Sequence, residues 1–366
     1  MGRGRAIGPD ILRALAILLV AATHMPGELP PAFWTGWQQF GWLGVDIFFV
    51  LSGYLIGFEL MKPVRGGDAP DLRLFYIKRV FRILPAFWVV LALYFAFPAL
   101  REGPTIAPAW RFLTFTVNFG LDIRTARSFS HAWSLCVEEH FYLGLPVLVL
   151  LFRSARLTWL PWVFFAGLLA GGMVLRHSLW LDWHGSGGQP ADFLRMIYYP
   201  SYCRLDGLLM GVGLAAARLF HAQAWRRLAR PVILLPLSAV CLAITCYMNL
   251  RDNQILGEAG SIVFYPLFSL GVALLLSALL DLEPHLQPLR LTGAGFIAAI
   301  SFSFYLSQKL VYHADRLWLP KGWTEGWVAV AVFYATAIAV AAALYFTVER
   351  PFMKLRDVVL RRWFSV

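Results

Sequence analysis

An all-α integral membrane bundle of about ten transmembrane helices, with both termini cytoplasmic, is the architecture this sequence predicts. Three observations lead to it. Of 366 residues, 59% are hydrophobic and 14% charged, whereas a water-facing globular domain carries roughly 25% charged residues. The apolar residues gather in runs near the roughly 20 residues that cross about 30 Å of hydrocarbon as a helix. Lys and Arg collect on alternate connections between those runs, the pattern that sets membrane orientation. The same composition, with a mean hydropathy of +0.63, excludes disorder, a coiled coil and a secreted disulfide scaffold. The net charge of +11 is dispersed among apolar runs, so no nucleic-acid partner is expected.

The predicted spans are 8–26, 40–60, 83–100, 133–152, 158–176, 203–220, 231–249, 261–280, 293–313 and 327–348. The first contains Arg13 and ends in His24-Met25-Pro26 without a small-residue cleavage site, so it reads as a retained helix and not a signal peptide. Pro30-Pro31, Gly66-Gly67, Pro104, Pro108, Gly185 to Gly188, Pro284 and Pro320 punctuate the joints. No internal repeat is visible. With the N-terminus inside, 21 of the 32 Lys and Arg fall on the inner side, including Arg3, Arg5, Arg156, Arg290 and the run from Lys62 to Arg82. Residues 1–352 are expected to form a single transmembrane domain and 353–366 a basic cytoplasmic tail. Cys136, Cys203, Cys241 and Cys246 lie in or beside apolar segments without a CxxC pair, so free buried thiols are expected.

Ionisable groups inside spans are costly and mark the candidate site. Arg13 and His24 share one helix and stand about 16 Å apart along its axis, which separates them between two depths. A neutral imidazole there is a candidate base, or a hydrogen-bonding partner of a neighbouring helix. In GWLGVDIFFVLSGYLI (41–56), Asp46 needs a partner such as Arg13 or a helix-end amide, and Ser52-Gly53 allows close helix approach. In FYIKRVFRILP (75–85), Lys78, Arg79 and Arg82 stand on one helical face before Pro85, which is expected to open the third span. They are membrane-surface anchors or a cradle for a phosphorylated ligand. In HAWSLCVEEHFYL (131–143), Glu138 shares a face with Ser134 and Tyr142, and only one of Glu138 and Glu139 is expected to face a given site. Either one is a candidate orienter of His24. Arg204 and Asp206 in RLDGLLMG are expected to pair with each other or to line a polar cavity, and SFSFYLSQK (301–309) reads as helix packing. Cys136 and His140 lack a second ligand pair, so no metal is expected.

In order and in register, these segments resemble the membrane acyltransferase family 3, the polysaccharide and O-antigen O-acetylases. The segments that carry the resemblance are Arg13 to His24, Gly44 to Gly53, Arg79 to Pro85, Trp133 to Leu143, Arg204 to Gly211 and Glu349 to Pro351. They span residues 10 to 352. After Ser301 to Leu306, where the family often carries a histidine, this chain has Ser307-Gln308-Lys309. The sequence ends at Val366, and a stand-alone form without an appended esterase-like domain is expected.

The resemblance implies a multi-pass enzyme of the cell inner membrane. It would move an acyl group, usually acetyl from cytosolic acetyl-CoA or another acyl-CoA, to a sugar hydroxyl of a glycan or lipid-linked saccharide at the outer face. Arg13, Lys78, Arg79 and Arg82 would hold the donor, His24 with Glu138 or Glu139 would act on the acceptor hydroxyl, and Asp46, Ser134, Tyr142, Arg204 and Asp206 would line the substrate path. Trp34, Trp37, Trp110, Trp180 and Trp183 would stack on sugar rings or anchor at the interface. The rival reading is a secondary transporter or flippase of a glycan precursor, which also carries intramembrane charge but commonly shows repeated halves.

Overall fold

The computed structural model describes residues 6–27, 29–153, 159–252, 254–289 and 291–364. Arg3, Arg5, Arg156, Arg290 and the start of the expected fifth span at position 158 lie outside them, as does the end of the expected tail. The main helices are α1 (Ile7–His24), α2 (Leu43–Arg65), α3 (Leu72–Ala96), α4 (Trp133–Phe152), α5 (Leu160–Gly185) and α6 (Asp206–Phe220). They continue with α7 (Pro231–Asp252), α8 (Glu258–Asp281), α9 (Thr292–Trp318), α10 (Gly326–Leu344) and α11 (Arg350–Phe364). No strand occurs among the described residues. Nine helical segments among them are long and apolar enough to cross a membrane, so the protein is an all-α, multi-pass membrane protein. Each predicted span corresponds to one of α1 to α10. The shortest is α6, whose 15 residues rise only about 22 Å, and it is the predicted span that is not among those nine.

Two boundaries depart from the sequence expectation for identifiable reasons. Helix α3 begins eleven residues before the predicted span, because the Asp71 side chain accepts from the Leu74 amide at 3.0 Å and caps the helix there. Pro85 therefore lies inside α3 and does not open it. Helix α5 runs past Arg176, where the predicted span stopped, because that guanidinium is neutralised inside the bundle.

Two internal ion pairs fasten the centre. Arg204 Nη2 donates to both Asp46 carboxylate oxygens at 2.9 Å, joining α2 to the turn before α6. Its guanidinium carbon lies 4.0 Å from the centroid of the Tyr265 ring, with the Tyr198 and Trp133 rings also within cation–π range. Arg176 donates to Asp206 at 2.7 and 3.0 Å and to the Cys203 and Ser261 carbonyls at 2.8 Å. Arg204 and Asp206 therefore each pair with a different helix and not with each other. Asp46 takes Arg204, and not Arg13, as its partner.

Small residues set the spacing of the helices. A Cβ added at Gly53 would strike the Leu208 carbonyl, and one at Gly211 would strike the Val50 carbonyl, so α2 and α6 touch backbone to backbone. Gly44 makes the same approach to the Ala16 carbonyl of α1. The amino end of α1 is held by Glu283, whose carboxylate accepts from the Ile7 and Gly8 amides at 2.8 and 3.1 Å. Helices α5 and α7 turn Val174, Leu181, Val232, Val240 and Tyr247 outward. Such a surface suits lipid and not water.

Candidate active site

Among the described residues, two cavities with polar linings enter the bundle from opposite faces. The first, about 370 Å³, lies toward the face that carries the start of α1. Its mouth is basic. Glu59 on α2 accepts from Lys78 Nζ at 2.9 Å and from Arg79 Nη2 at 2.7 Å, and Arg13, Arg82 and Arg356 line the same space. Lys78, Arg79 and Arg82 reach one wall together because α3 is already helical there, with Arg82 four residues after Lys78 and three after Arg79. Such a cluster suits phosphate groups.

Deeper in, Glu138 on α4 accepts from Ser52 Oγ at 3.1 Å and from the Tyr142 hydroxyl. Glu139 lines this cavity as well, so both glutamates face it and not one alone. The cavity is broad enough to take side chains about 100° apart on one helix. At its inner end the Tyr305 hydroxyl donates to the His131 carbonyl. That uses its single proton, so Ser134 Oγ donates in turn to Tyr305 across 2.6 Å.

The second cavity, about 710 Å³, opens toward the other face, and His24 at the end of α1 lines it. The arrangement around it begins at Phe129, whose positive φ of 55° is uncommon for a bulky residue. Its ring is buried between those of Tyr94 and Phe112, with centroids at 4.6 and 5.4 Å. The turn carries His131 inward, where its Nε2 donates to the Leu306 carbonyl at 3.3 Å and its ring stands 5.8 Å from that of His24. Lys309 on α9 pairs with Glu102 at 2.7 Å and donates to Ser130 at 3.1 Å. Burial alone would raise the Glu102 carboxyl, but the Lys309 ammonium and the Phe129 amide outweigh it and hold the group below the usual carboxylate range.

Only part of the expected constellation converges. Arg13, Lys78, Arg79, Arg82, Ser134, Glu138, Glu139 and Tyr142 all line the first cavity, and His24 lines the second. The separation of Arg13 and His24 along α1 is the cause. Val45 and Tyr305 line both cavities and form the septum between them. The expected pairing of His24 with Glu138 or Glu139 is therefore not formed; His24 Nδ1 meets Gln308 Nε2 at 3.2 Å instead. Asp46, Arg204 and Asp206 are 2%, 1% and 3% exposed and engaged in internal pairs, so they hold helices together and line neither of these two cavities. Among the described residues no group of three or more His, Cys, Asp or Glu is arranged to hold a metal; His140 Nδ1 lies 2.7 Å from Ser201 Oγ.

Arg176, Glu102 and His131 are site or scaffold residues that the sequence did not single out, and Tyr305 and Gln308 lie in the stretch 301–309 that it assigned to helix packing alone. A lone arginine in the apolar run 160–185 was a usable signal. Glu102 carried none, because it stands in a loop next to Arg101, where a carboxylate is unremarkable.

A family model described as an acyltransferase domain matches residues 7–346. The chain belongs to that acyltransferase family. Among curated relatives, the chain is 32% identical over 223 residues to the peptidoglycan O-acetyltransferase OatA of Listeria monocytogenes, covering 56% of this chain and 33% of that protein. It is 30% identical over 223 residues to a putative O-acetyltransferase of Staphylococcus aureus strain COL, covering 57% and 34%. Against the O-acetyltransferase OatA of Staphylococcus aureus strain NCTC 8325 it is 24% identical over 369 residues, covering 95% and 57%. The matched part of this chain thus spans between about a third and somewhat over half of these relatives' length. No solved structure matches the chain.

Proposed function

We propose that this protein transfers an acetyl group from acetyl-CoA, bound at the basic cavity, to a saccharide hydroxyl that enters the opposite cavity at the outer face of the cytoplasmic membrane. The observation that carries this reading is the pair of cavities meeting at Tyr305, one with a cationic mouth and the other with an imidazole. Lys78, Arg79, Arg82 and Arg13 take the phosphates of the donor, and Ser134, Glu138 and Tyr142 flank the path of its thioester arm. The thioester passes the septum at Tyr305 and Val45 to reach His24.

The chemistry balances without a cofactor beyond the donor. His24 accepts the hydroxyl proton as the sugar oxygen attacks the thioester carbonyl. The C–O bond forms, the C–S bond breaks, and the departing thiolate takes the proton back from the imidazolium to leave as free CoA thiol. The O-acetyltransferase names of the relatives support an oxygen acceptor.

The test is thiol release from acetyl-CoA by the full chain in lipid nanodiscs, with and without a saccharide acceptor. Acceptor-dependent release that falls at least about 100-fold in His24→Ala is expected. Undiminished release by that variant removes His24 from the chemistry, and accumulation of unmodified saccharide across a vesicle membrane would favour a flippase.

A further inference from the structure

The contact between Gln308 and His24 leaves one polar atom unexplained. Gln308 is fully buried, and its Oε1 has no hydrogen-bond partner among the described residues. Its Nε2 stands 3.2 Å from His24 Nδ1 and 3.5 Å from the Tyr305 carbonyl. The longer contact is at the limit of a hydrogen bond, and that carbonyl already sits within the α9 helical ladder. Amide oxygen and nitrogen are alike in shape, and which one faces a partner follows from the partner's needs.

His24 states those needs. The Val20 carbonyl, one turn earlier on α1, also faces the ring and can only accept. With the amide oxygen turned toward Nδ1, the ring's proton sits there and Nε2 keeps its lone pair. With the amide the other way round, Gln308 would donate to Nδ1, the proton would move to Nε2, and the imidazole would offer the cavity a donor where a base is required.

We infer that Gln308 is a positioning residue: its Oε1 accepts from His24 Nδ1–H, fixes that tautomer and presents the Nε2 lone pair to the acceptor hydroxyl. The inference rests on the acyltransfer reading above and adds the group that orients the base. It assigns to an uncharged amide on α9 the task that Glu138 and Glu139, across the septum, are not placed to perform. A neutral orienter also suits its surroundings. The charged and titratable groups facing His24 are Lys309 and Tyr305 on α9, His131 before α4 and Glu102 after α3, and Lys309 already pairs with Glu102.

The experiment compares Gln308→Met, which keeps the volume but removes the acceptor, with Gln308→Glu, which can only accept when ionised. Both are assayed as full-length protein in nanodiscs, alongside His24→Ala. Gln308→Met is expected to lower kcat about 10- to 100-fold with both KM values unchanged. Gln308→Glu is expected to remain active, with the acid limb of its kcat/KM profile moved to higher pH, because a carboxylate beside the imidazole favours the imidazolium. Wild-type kcat in Gln308→Met, or an unmoved acid limb in Gln308→Glu, overturns the inference. If Gln308→Met does not fold, the limb position in Gln308→Glu decides alone. Full turnover in His24→Ala instead sinks the acyltransfer reading beneath it, so the two failures are distinct.

Discussion

Glu102 is one residue through which solution pH acts on this site. Its folded carboxyl lies below its ordinary value of 4.5, so the carboxylate form is favoured by folding. The stabilisation is therefore present above about pH 4.5 and is lost as pH falls through the lower folded value. Glu102→Gln is expected to lower Tm at pH 7, with the gap to wild type closing toward pH 3. A constant gap across that range would show that the Lys309 contact contributes through shape and not charge. On the other side of the septum, Arg79→Ala is expected to raise the KM for acetyl-CoA about tenfold, the loss of one charge-assisted contact, with kcat held. A fall in kcat alone would assign Arg79 to the chemistry. These residues also mark what the sequence could disclose. Arg79 and His24 were legible because a charge in an apolar run is conspicuous. Gln308 was not, since an amide in a helix has no signature until its neighbour across 284 residues of chain is known.

At the level of helices, the partnering of charges is what the linear pattern left open. Asp46, Arg204 and Asp206 were recognisable as buried ionisable groups, but nothing in their spacing pointed to Arg176 on α5 as the fourth member. The tertiary fold decides between a nearby partner two residues away and distant ones 30 and 158 residues away. Breaking such a pair leaves a bare charge in the interior. Asp206→Asn is expected to cost about 3–5 kcal/mol, while the double change Arg176→Met with Asp206→Leu recovers most of it. Thermal unfolding in detergent measures both, and equal losses would mean the pair does more than cancel its own charge. Helix lengths followed the apolar runs well except where a capped start at Asp71 or a neutralised arginine let the helix continue. Ser52-Gly53 signals close helix approach in the sequence without naming the partner, which proves to be α6, with Gly211 as the counterpart. Gly53→Val is expected to separate these helices and abolish expression of folded protein, as judged by size-exclusion profile.

For the whole molecule, the class of fold was fixed by composition and run length, because lipid demands helices that satisfy their own backbones. Orientation rests on the bias of Lys and Arg. A single cysteine at position 124 is expected to react with a membrane-impermeant maleimide in intact cells, and one at position 362 only after permeabilisation, in a background lacking the four native cysteines. The reverse pattern would invert the topology and with it the direction of transfer. The division of the interior into two spaces was not legible, since it depends on where one tyrosine lies. That division also bears on the cell as a whole. Tyr305, tethered by Ser134 and by the His131 carbonyl, stands where the two water-accessible ends meet. If the proposed transfer runs through this septum, a passage left standing open there would bleed ions and discharge the electrochemical gradient, and the tether would keep the membrane insulating between turnovers.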